Sequence, residues 1–411
     1  MTLRDLMSPR VAMRGAVIVV GAVLAYGALT SAVVNAAHHA GPRIALRLDA
    51  QDPIALTELA ARLIGREETL EPDVQRRVAD LSRRSIREQA INGPAVQMLG
   101  LVATQRGDAP AVARLFTVAD KLSRRDLGTQ FYMIENAVTR NDIPAAFRHY
   151  DAALRVSPGS YPILFPVMTT ALEDPRLWNA FVPYLQSRPP WLGAFLTHAV
   201  RETARPDAFA RLIVQAGGLP DEPEYVGRQG ELLRRLVDQG RIGWAANYYP
   251  TLPNATPSAL TSMALTPATT QARYMPIEWE LSGSEGVTLG FSKGERGVEI
   301  EGMIDPAIDG VIARKLTFVA PGRYRFAARE ILPDSGTMPN VRWQLECVRP
   351  SGRATLWASD FSTVGGEHRT IGSFTVSPSC PAVLASLLIR VPRGSQPVDV
   401  RVPSVALAKV G

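Results

Sequence analysis

The sequence contains little of what metal-dependent and redox enzymes need. Its 411 residues include 5 histidines and 2 cysteines, and none of these stands at a metal-ligand or redox-motif spacing. The motifs of zinc peptidases, serine hydrolases, phosphate-binding loops and dinucleotide-binding turns are missing as well. We therefore expect no metal, no cofactor and no catalytic residue. A distant pair of carboxylates, as in glycoside hydrolases, remains an alternative that the sequence leaves open.

Lysine is scarce too, because only 4 of the 45 basic residues are lysine and the others are arginine. The net charge is +6, but the arginines are spread along the whole chain and form neither a basic tail nor a basic helix. Nucleic-acid-binding proteins concentrate their positive charge on one face or segment. The charge pattern therefore argues against a nucleic-acid partner.

A long run without charge follows a basic N-terminus. The 23 residues from Gly15 to Ala37 contain no charged side chain, which is long enough for a helix to span about 30 Å of hydrocarbon. We interpret residues 15–37 as a transmembrane signal-anchor helix and residues 1–14, with their three arginines, as a cytoplasmic N-terminus. This predicts a single-pass inner-membrane protein whose bulk is periplasmic. A cleaved signal peptide is the alternative, and it also exports the chain.

Residues 93–158 contain two copies of one pattern at an offset of 34 residues. Gly107 and Asn141 occupy the same position in the two copies, and both residue types tolerate the left-handed backbone that follows a helix. Asp108 and Asp142 come next and are able to cap a second helix, which then has a proline in its first turn. Each copy is therefore predicted to be helix, tight turn, helix.

The two copies resemble the tetratricopeptide repeat. The matching residues are Leu99, Gly100, Gly107, Phe116 and Ala119 in the first copy, and Ala146, Tyr150, Ala153 and Pro158 in the second. Ile134 and Arg124 depart from the family's pattern. The resemblance implies an α-solenoid with a protein-binding surface. Amphipathic segments on both sides lead us to extend this helical solenoid over residues 44–250.

The character of the chain changes after residue 250. Residues 251–276 are rich in Pro, Thr, Ser and Ala and are predicted to be a linker. From residue 277 the hydrophobic period is two, with about nine short strands separated by Gly, Pro and Ser. We predict an antiparallel β-sandwich over residues 277–411, so the fold class is multidomain α plus β. The order of the G-R-Y-R-F strand, a strand with Trp and Cys, and a final V-D-V-R-V strand resembles jelly-roll modules of the galactose-binding type.

Strand alternation sorts the aromatic residues of this region into buried and exposed positions. Tyr324, Phe326 and Trp343 share their faces with other apolar residues and are predicted to lie in the core. Cys347 lies on the core face as well, 33 residues before Cys380. Because the domain is predicted to be exported, we expect these two cysteines to form a disulfide.

Four basic residues and one tryptophan are the candidate ligand-binding residues. Arg323, Arg325 and Arg342, together with Lys315, point outward by alternation and are predicted to form a basic stripe on one sheet. Arginine binds carboxylates in a bidentate manner, so an acidic glycan is a natural ligand for such a stripe, whereas a solvated charged face is the default interpretation. If Leu356 points inward, Trp357 is exposed and able to stack on a sugar ring. The alternative is a tryptophan covered by a neighbouring loop or by the solenoid.

These observations together predict a non-catalytic, membrane-anchored periplasmic scaffold for exopolysaccharide or cell-envelope assembly. In this hypothesis the solenoid binds a protein partner and the β-sandwich binds an acidic polysaccharide. A polysaccharide lyase or hydrolase is one alternative. A pure protein–protein scaffold that binds no glycan is the other.

Overall fold

The computed structural model describes residues 9–65, 69–295, 297–333, 339–361 and 365–410, with side chains from residue 24 onward. The chain divides into two compact units, Met1–Tyr161 and Pro162–Gly411. This division does not coincide with the predicted domain bounds 44–250, 251–276 and 277–411, which stay a prediction.

The first unit is helical. Its helices are α1 (Pro9–Ala40), α2 (Pro42–Leu48), α3 (Pro53–Ile64), α4 (Pro72–Glu88), α5 (Gly93–Gln105), α6 (Ala109–Leu122), α7 (Leu127–Thr139) and α8 (Ile143–Val156). Asp52, Asn92 and Asp126 cap α3, α5 and α7 by accepting a hydrogen bond from the backbone N–H three residues later.

The predicted helix–turn–helix geometry of residues 93–158 is confirmed in its local details. Gly107 and Asn141 have φ angles of 70° and 56°, in the left-handed region that the pattern required. The carboxylates of Asp108 and Asp142 each accept a 3.0 Å hydrogen bond from the first turn of the next helix. Gly100 contacts the ring of Phe116 so closely that an added Cβ would lie 2.8 Å from it. The broader assignment to a tetratricopeptide solenoid stays a prediction.

The predicted transmembrane helix over residues 15–37 is not supported. Residues 9–40 do form one helix, α1. Within the part of the chain that the structure describes, however, no helix combines the length and the apolar content of a membrane span. Residues 1–8 of the predicted cytoplasmic segment, and the side chains of residues 9–23, lie outside the described residues.

The second unit begins with a helical part. Its helices are α9 (Tyr161–Ala171), α10 (Trp178–Ser187), α11 (Leu192–Glu202), α12 (Pro206–Gln215), α13 (Pro223–Asp238) and α14 (Ile242–Tyr248). Prolines in the first turn open α12 and α13, where the missing N–H is not needed. Aromatic side chains fill its interior, among them Phe181, Trp191 and Phe195, whose ring centroids lie 5.5 to 6.4 Å apart.

The strands of the second unit agree closely with the predicted ones. They are β1 (Glu280–Leu281), β2 (Val287–Gly294), β3 (Gly297–Ile304), β4 (Asp309–Phe318), β5 (Gly322–Leu332), β6 (Asn340–Arg349), β7 (Gly352–Ala358), β8 (Gly366–Val376), β9 (Ala382–Arg390) and β10 (Val398–Val410). The short β1 is the one strand that the hydrophobic pattern did not indicate.

The strands form two five-stranded antiparallel sheets, which confirms the β-sandwich. Sheet A has the order β1-β4-β9-β6-β7, and sheet B has the order β2-β3-β10-β5-β8. The crossing of consecutive strands between sheets gives a jelly-roll-like topology. Their inner faces share one core, which includes the predicted Tyr324, Phe326, Trp343 and Cys347. The outer face of sheet B is the exposed face that carries the site described below.

Within the second unit, the helical part and the sandwich are packed together through residues 251–281. Met263 and Trp279 from this segment join the sandwich core. Glu280 accepts hydrogen bonds from Arg234 on α13 at 2.7 Å and from Arg314 on β4 at 2.6 Å. Met263 lies in the segment predicted as a linker, residues 251–276, so this segment contributes to the sandwich core.

Candidate functional site

Two of the predicted binding residues, Arg323 and Arg325, are exposed on the outer face of β5 in sheet B. They alternate with Tyr324 and Phe326, whose burial in the core fixes the direction of every second side chain. Within the described residues, neither arginine has an ion pair or a side-chain hydrogen bond. Both guanidinium groups are therefore free to bind a ligand.

The same face carries two further arginines, Arg329 on β5 and Arg369 on β8, which were not among the predicted binding residues. They lie directly opposite each other in the β5–β8 register. Arg329 follows the outward alternation that starts at Arg323, so the strand pattern contained a signal for it. Arg369 carried no such signal, because the pairing of β8 with β5 is a long-range feature. We call Arg323, Arg325, Arg329 and Arg369 the arginine face.

The arginine face has an excess of positive charge. Arg329 donates a hydrogen bond to Glu367 on β8, and this bond raises the pKa of Arg329 above its usual range. The carboxylate of Glu295 raises the pKa of Arg329 as well, by charge attraction. Arg369 has no acidic partner within the described residues, and it stands opposite another arginine, an arrangement that is unfavourable without an anion.

Small side chains lie between the arginines. Arg325 has Ala408 of β10 on one side and Ser373 of β8 on the other. Ala327, two residues further along β5, has Ala406 as its neighbour on β10. On the β10 side these short side chains leave the surface low, so an extended ligand is able to contact the strands between the guanidinium groups. On the β8 side the neighbour of Ala327 is Ile371, which is 51% exposed and projects between Arg369 and Ser373. No aromatic side chain projects from this face in the described strands.

The predicted basic stripe is wrong for Arg342, which lies on the other sheet. Arg342 is on β6 in sheet A, and its guanidinium lies 5.5 Å from the ring centroid of Phe361. Arg390 covers the same ring at 4.9 Å and also forms a 2.9 Å ion pair with Asp309. Arg342 therefore belongs to a separate cluster and does not meet Arg323 and Arg325. Alternation identified the outward residues but not the sheet to which each strand belongs.

Lys315 is buried and is not part of an exposed stripe. It is 0% exposed, and its Nζ donates hydrogen bonds to the backbone carbonyls of Ala259, at 2.9 Å, and Ile277. Burial lowers the pKa of Lys315 to about 7, while the nearby Glu278 carboxylate opposes this shift. The side chain thus connects β4 to the segment that precedes β1, which gives it a structural position.

Trp357 faces the interior of the sandwich. The register of β6 and β7 shifts at Leu356, so that Trp357 pairs with Leu345 and both Leu356 and Trp357 pack against the core. The indole lies on Gly372 of β8, where an added Cβ would be 2.3 Å from it. Its ring centroid is 5.8 Å from that of Phe326. Trp357 is half-buried and does not share a face with the arginines.

A buried carboxylate lies near this tryptophan. Glu330 is 1% exposed and points into the sandwich from β5, where it accepts hydrogen bonds from Trp343 Nε1 and, at 3.3 Å, from Thr370. Burial raises the pKa of Glu330 to about 7, although both hydrogen bonds oppose that shift. Glu330 was not among the predicted residues, although the alternation of β5 places it on the buried face, where an ionisable side chain is unusual.

The predicted cysteine pair is confirmed. The sulfur atoms of Cys347 and Cys380 lie 2.18 Å apart and their Cα atoms 5.6 Å apart, which is disulfide distance. The bond connects β6 to the residues before β9. Elsewhere in the described ranges, no group of three or more His, Cys, Asp or Glu side chains is placed to hold a metal ion.

Of the comparisons with known proteins, the one with solved structures finds similarities to this chain. No family model matches the chain, and no curated protein matches it. Among the solved structures, a putative sugar-binding protein from Bacteroides thetaiotaomicron is 10% identical, covers 34% of this chain and 92% of its own, and has a TM-score of 0.25.

Two carbohydrate-binding modules give comparable values. A CBM61 module in complex with β-1,4-galactotriose is 10% identical, covers 32% of this chain and 88% of its own, and has a TM-score of 0.25. The xylan-binding CBM22-1 domain of Paenibacillus barcinonensis Xyn10C is 12% identical, covers 32% and 87%, and has a TM-score of 0.24. These identities and TM-scores carry no argument about what this chain binds.

Proposed function

We propose that the β-sandwich binds an acidic polysaccharide on the arginine face. The observation that carries this proposal is the charge on two neighbouring strands of sheet B. Four arginines lie on β5 and β8, and within the described residues Glu367 is the one carboxylate hydrogen-bonded to an arginine of this set. Three of the four arginines have no partner in the described residues. A ligand with regularly spaced carboxylates supplies the missing partners, because a guanidinium group binds a carboxylate through two parallel hydrogen bonds.

The dimensions of the face favour an extended chain over a single sugar. Arg323 and Arg329 are six residues apart on one strand, which corresponds to about 20 Å. Between them, alanine side chains keep the β10 side of the surface low, and Ile371 adds one exposed apolar side chain on the β8 side. Since no aromatic platform is present on the described part of this face, binding relies on charge and hydrogen bonds. We therefore expect it to weaken strongly with increasing salt.

Calorimetric titration of the full chain tests the proposal. Polygalacturonate serves as the acidic ligand and dextran as the neutral one, at low and at high salt. The double variant Arg323→Gln, Arg325→Gln is expected to bind polygalacturonate roughly tenfold more weakly, at about 0.5–1 kcal/mol for each exposed charge pair. Arg393→Gln is the matched control, because Arg393 is another exposed arginine of the sandwich, in the loop before β10. Equal binding by all three proteins, or equal binding of dextran, contradicts the proposal.

The rest of the proposed role is a non-catalytic scaffold outside the cytoplasm. The disulfide supports an oxidising compartment such as the periplasm, because cytosolic thiols are kept reduced. The helical parts are proposed to contact a protein partner in exopolysaccharide or cell-envelope assembly. In this proposal the sandwich holds the polysaccharide without cleaving it. New reducing ends without unsaturation would instead indicate a polysaccharide hydrolase, and new unsaturated ends would indicate a polysaccharide lyase.

A further inference from the structure

A pocket of about 270 Å³ lies on the helical part of the second unit, between α10, α12 and α14. Two tryptophans line it, Trp178 on α10 and Trp244 on α14. Trp178 is 3% exposed and is fixed by the 2.8 Å hydrogen bond that its Nε1 donates to the carbonyl of Leu172. Trp244 is 37% exposed, so part of its indole is open to solvent.

Between these two indoles lies a cation, Arg211. Its guanidinium carbon is 5.4 Å from the ring centroid of Trp178 and 5.3 Å from that of Trp244. The two rings hold the planar group in place by cation–π attraction. Arg211 forms no ion pair within the described residues. An exposed guanidinium that is held in position and has no acidic partner is suited to bind an anion in a defined orientation.

A second pocket, of about 610 Å³, adjoins the first, and Trp244 and Asn247 line both of them. It extends from Arg241 at the start of α14 to Pro350 in the turn between β6 and β7. Its volume falls in the range of small-molecule sites, which is roughly 300–1,000 Å³. Neither pocket has an aspartate or glutamate among its lining residues.

The polar side chains of the two pockets are amides, arginines and Tyr248, whose buried hydroxyl has no hydrogen-bond partner within the described residues. Gln215 and Asn247 line the smaller pocket, and Gln239 lines the larger one. An amide side chain both donates and accepts hydrogen bonds, as a hydroxyl-rich ligand requires. The indole of Trp244 offers an apolar surface next to these amides. This combination differs from the arginine face, which has charge but no aromatic side chain in its described strands.

We propose that these pockets form a second ligand site that takes an acidic sugar residue. The carboxylate would bind the guanidinium of Arg211 or Arg241, the hydroxyl groups would bind the amides, and the sugar ring would pack on Trp244. The choice of a sugar acid rests on the proposed function of the sandwich. The existence of the site does not rest on that function, because the site depends on Arg211, Trp178 and Trp244 alone.

The test uses a trimer of galacturonic acid and its fully methyl-esterified counterpart, which keeps the rings but removes the charge. Binding is measured by calorimetry on the full chain that already carries Arg323→Gln and Arg325→Gln, so that the contribution of the arginine face is reduced. We expect the acid trimer to bind at least about tenfold more tightly than the ester, as one charge-assisted hydrogen-bond pair provides. Arg211→Gln and Trp244→Ala, each added to that chain, are expected to weaken binding by a similar factor.

Each outcome decides the proposal. If neither Arg211→Gln nor Trp244→Ala changes the affinity, or if the ester binds as well as the acid, the site is not an acidic-sugar site. Displacement of the trimer by a lower concentration of an acidic peptide also overturns the assignment. If the unmodified chain binds the trimer and the chain with Arg323→Gln and Arg325→Gln does not, the proposed pocket site is wrong. That result would support binding at the arginine face. Circular dichroism of each variant checks that the helices remain folded.

Discussion

Glu330 gives the sharpest prediction, because its burial couples the stability of the sandwich to pH. The ordinary pKa of a glutamate is about 4.3, whereas that of Glu330 is raised to about 7 in the folded chain. A raised pKa means that the folded state favours the protonated form. The stability due to neutral Glu330 is therefore complete below about pH 4.3 and is lost as the pH rises to 7.

The magnitude follows from the size of the shift. At about 1.4 kcal/mol per pKa unit, the ionisation of Glu330 costs the folded state up to about 4 kcal/mol well above pH 7. The side chain is 1% exposed, so screening by solvent reduces this little. Glu330→Gln keeps an oxygen that can accept from Trp343 and Thr370 but does not ionise. We expect the free energy of unfolding to be higher for the variant than for the parent. This difference is expected to be about 2–3 kcal/mol larger at pH 8 than at pH 5.

Urea unfolding followed by tryptophan fluorescence is the appropriate assay. All 6 tryptophans lie in the second unit, so the signal reports its unfolding. The quantity to compare is the difference in the free energy of unfolding between variant and parent at each pH, in which other titrating groups cancel. Glu346→Gln, on the outer face of β6, is the control. An equal difference at pH 5 and pH 8, or one that is larger at pH 5, would refute the reasoning.

Three further predictions concern packing, the disulfide and a helix cap. Gly372→Ala is expected to destabilise the second unit by about 1–3 kcal/mol and to shift the tryptophan emission, because the new Cβ overlaps Trp357; unchanged emission and stability would contradict the packing. Reduction of Cys347–Cys380, which closes a separation of 33 residues, is expected to lower stability by about 3–4 kcal/mol, and a melting temperature that is unaffected by dithiothreitol would argue against the bond. Asp108→Ala removes the cap of α6 and is expected to cost about 1 kcal/mol in thermal unfolding followed by circular dichroism, with Asp108→Asn retaining most of the stability.

The local structure was predictable because it depends on short-range patterns. Gly107 and Asn141 identified the two helical turns from residue type alone, and the period-two segments placed nine of the ten strands. In both cases the deciding interactions lie within a few residues of each other in the chain. The same holds for the prolines and aspartates at the helix starts.

The failures are long-range or arise from broken alternation. Arg342 and Arg323 both point outward, but strand pairing places them on opposite sheets, and no local pattern contains that information. The exposure of Trp357 was expected only if Leu356 pointed inward and alternation held, but the bulge at Leu356 interrupts the alternation and both side chains pack against the core. Lys315 was expected to be exposed, yet carbonyl groups from residues 259 and 277 compensate its burial.

Likewise, only part of the arginine face could be predicted from the sequence. Arg323 and Arg325 are consecutive outward positions of one strand, and alternation finds them. Arg369 joins them only because β8 pairs with β5 in a register that sets Arg369 opposite Arg329. The charge excess on which the proposed function depends is therefore a property of the assembled sheet.

Residue-specific protection of arginines tests the arginine face most directly. The full chain is treated with phenylglyoxal with and without polygalacturonate, and the modified arginines are read by mass spectrometry. We predict that the polysaccharide protects Arg323, Arg325 and Arg369, while Arg393 reacts equally in both conditions. Equal modification of all four arginines, or protection of Arg393 instead, would contradict the claim that this face binds the polysaccharide.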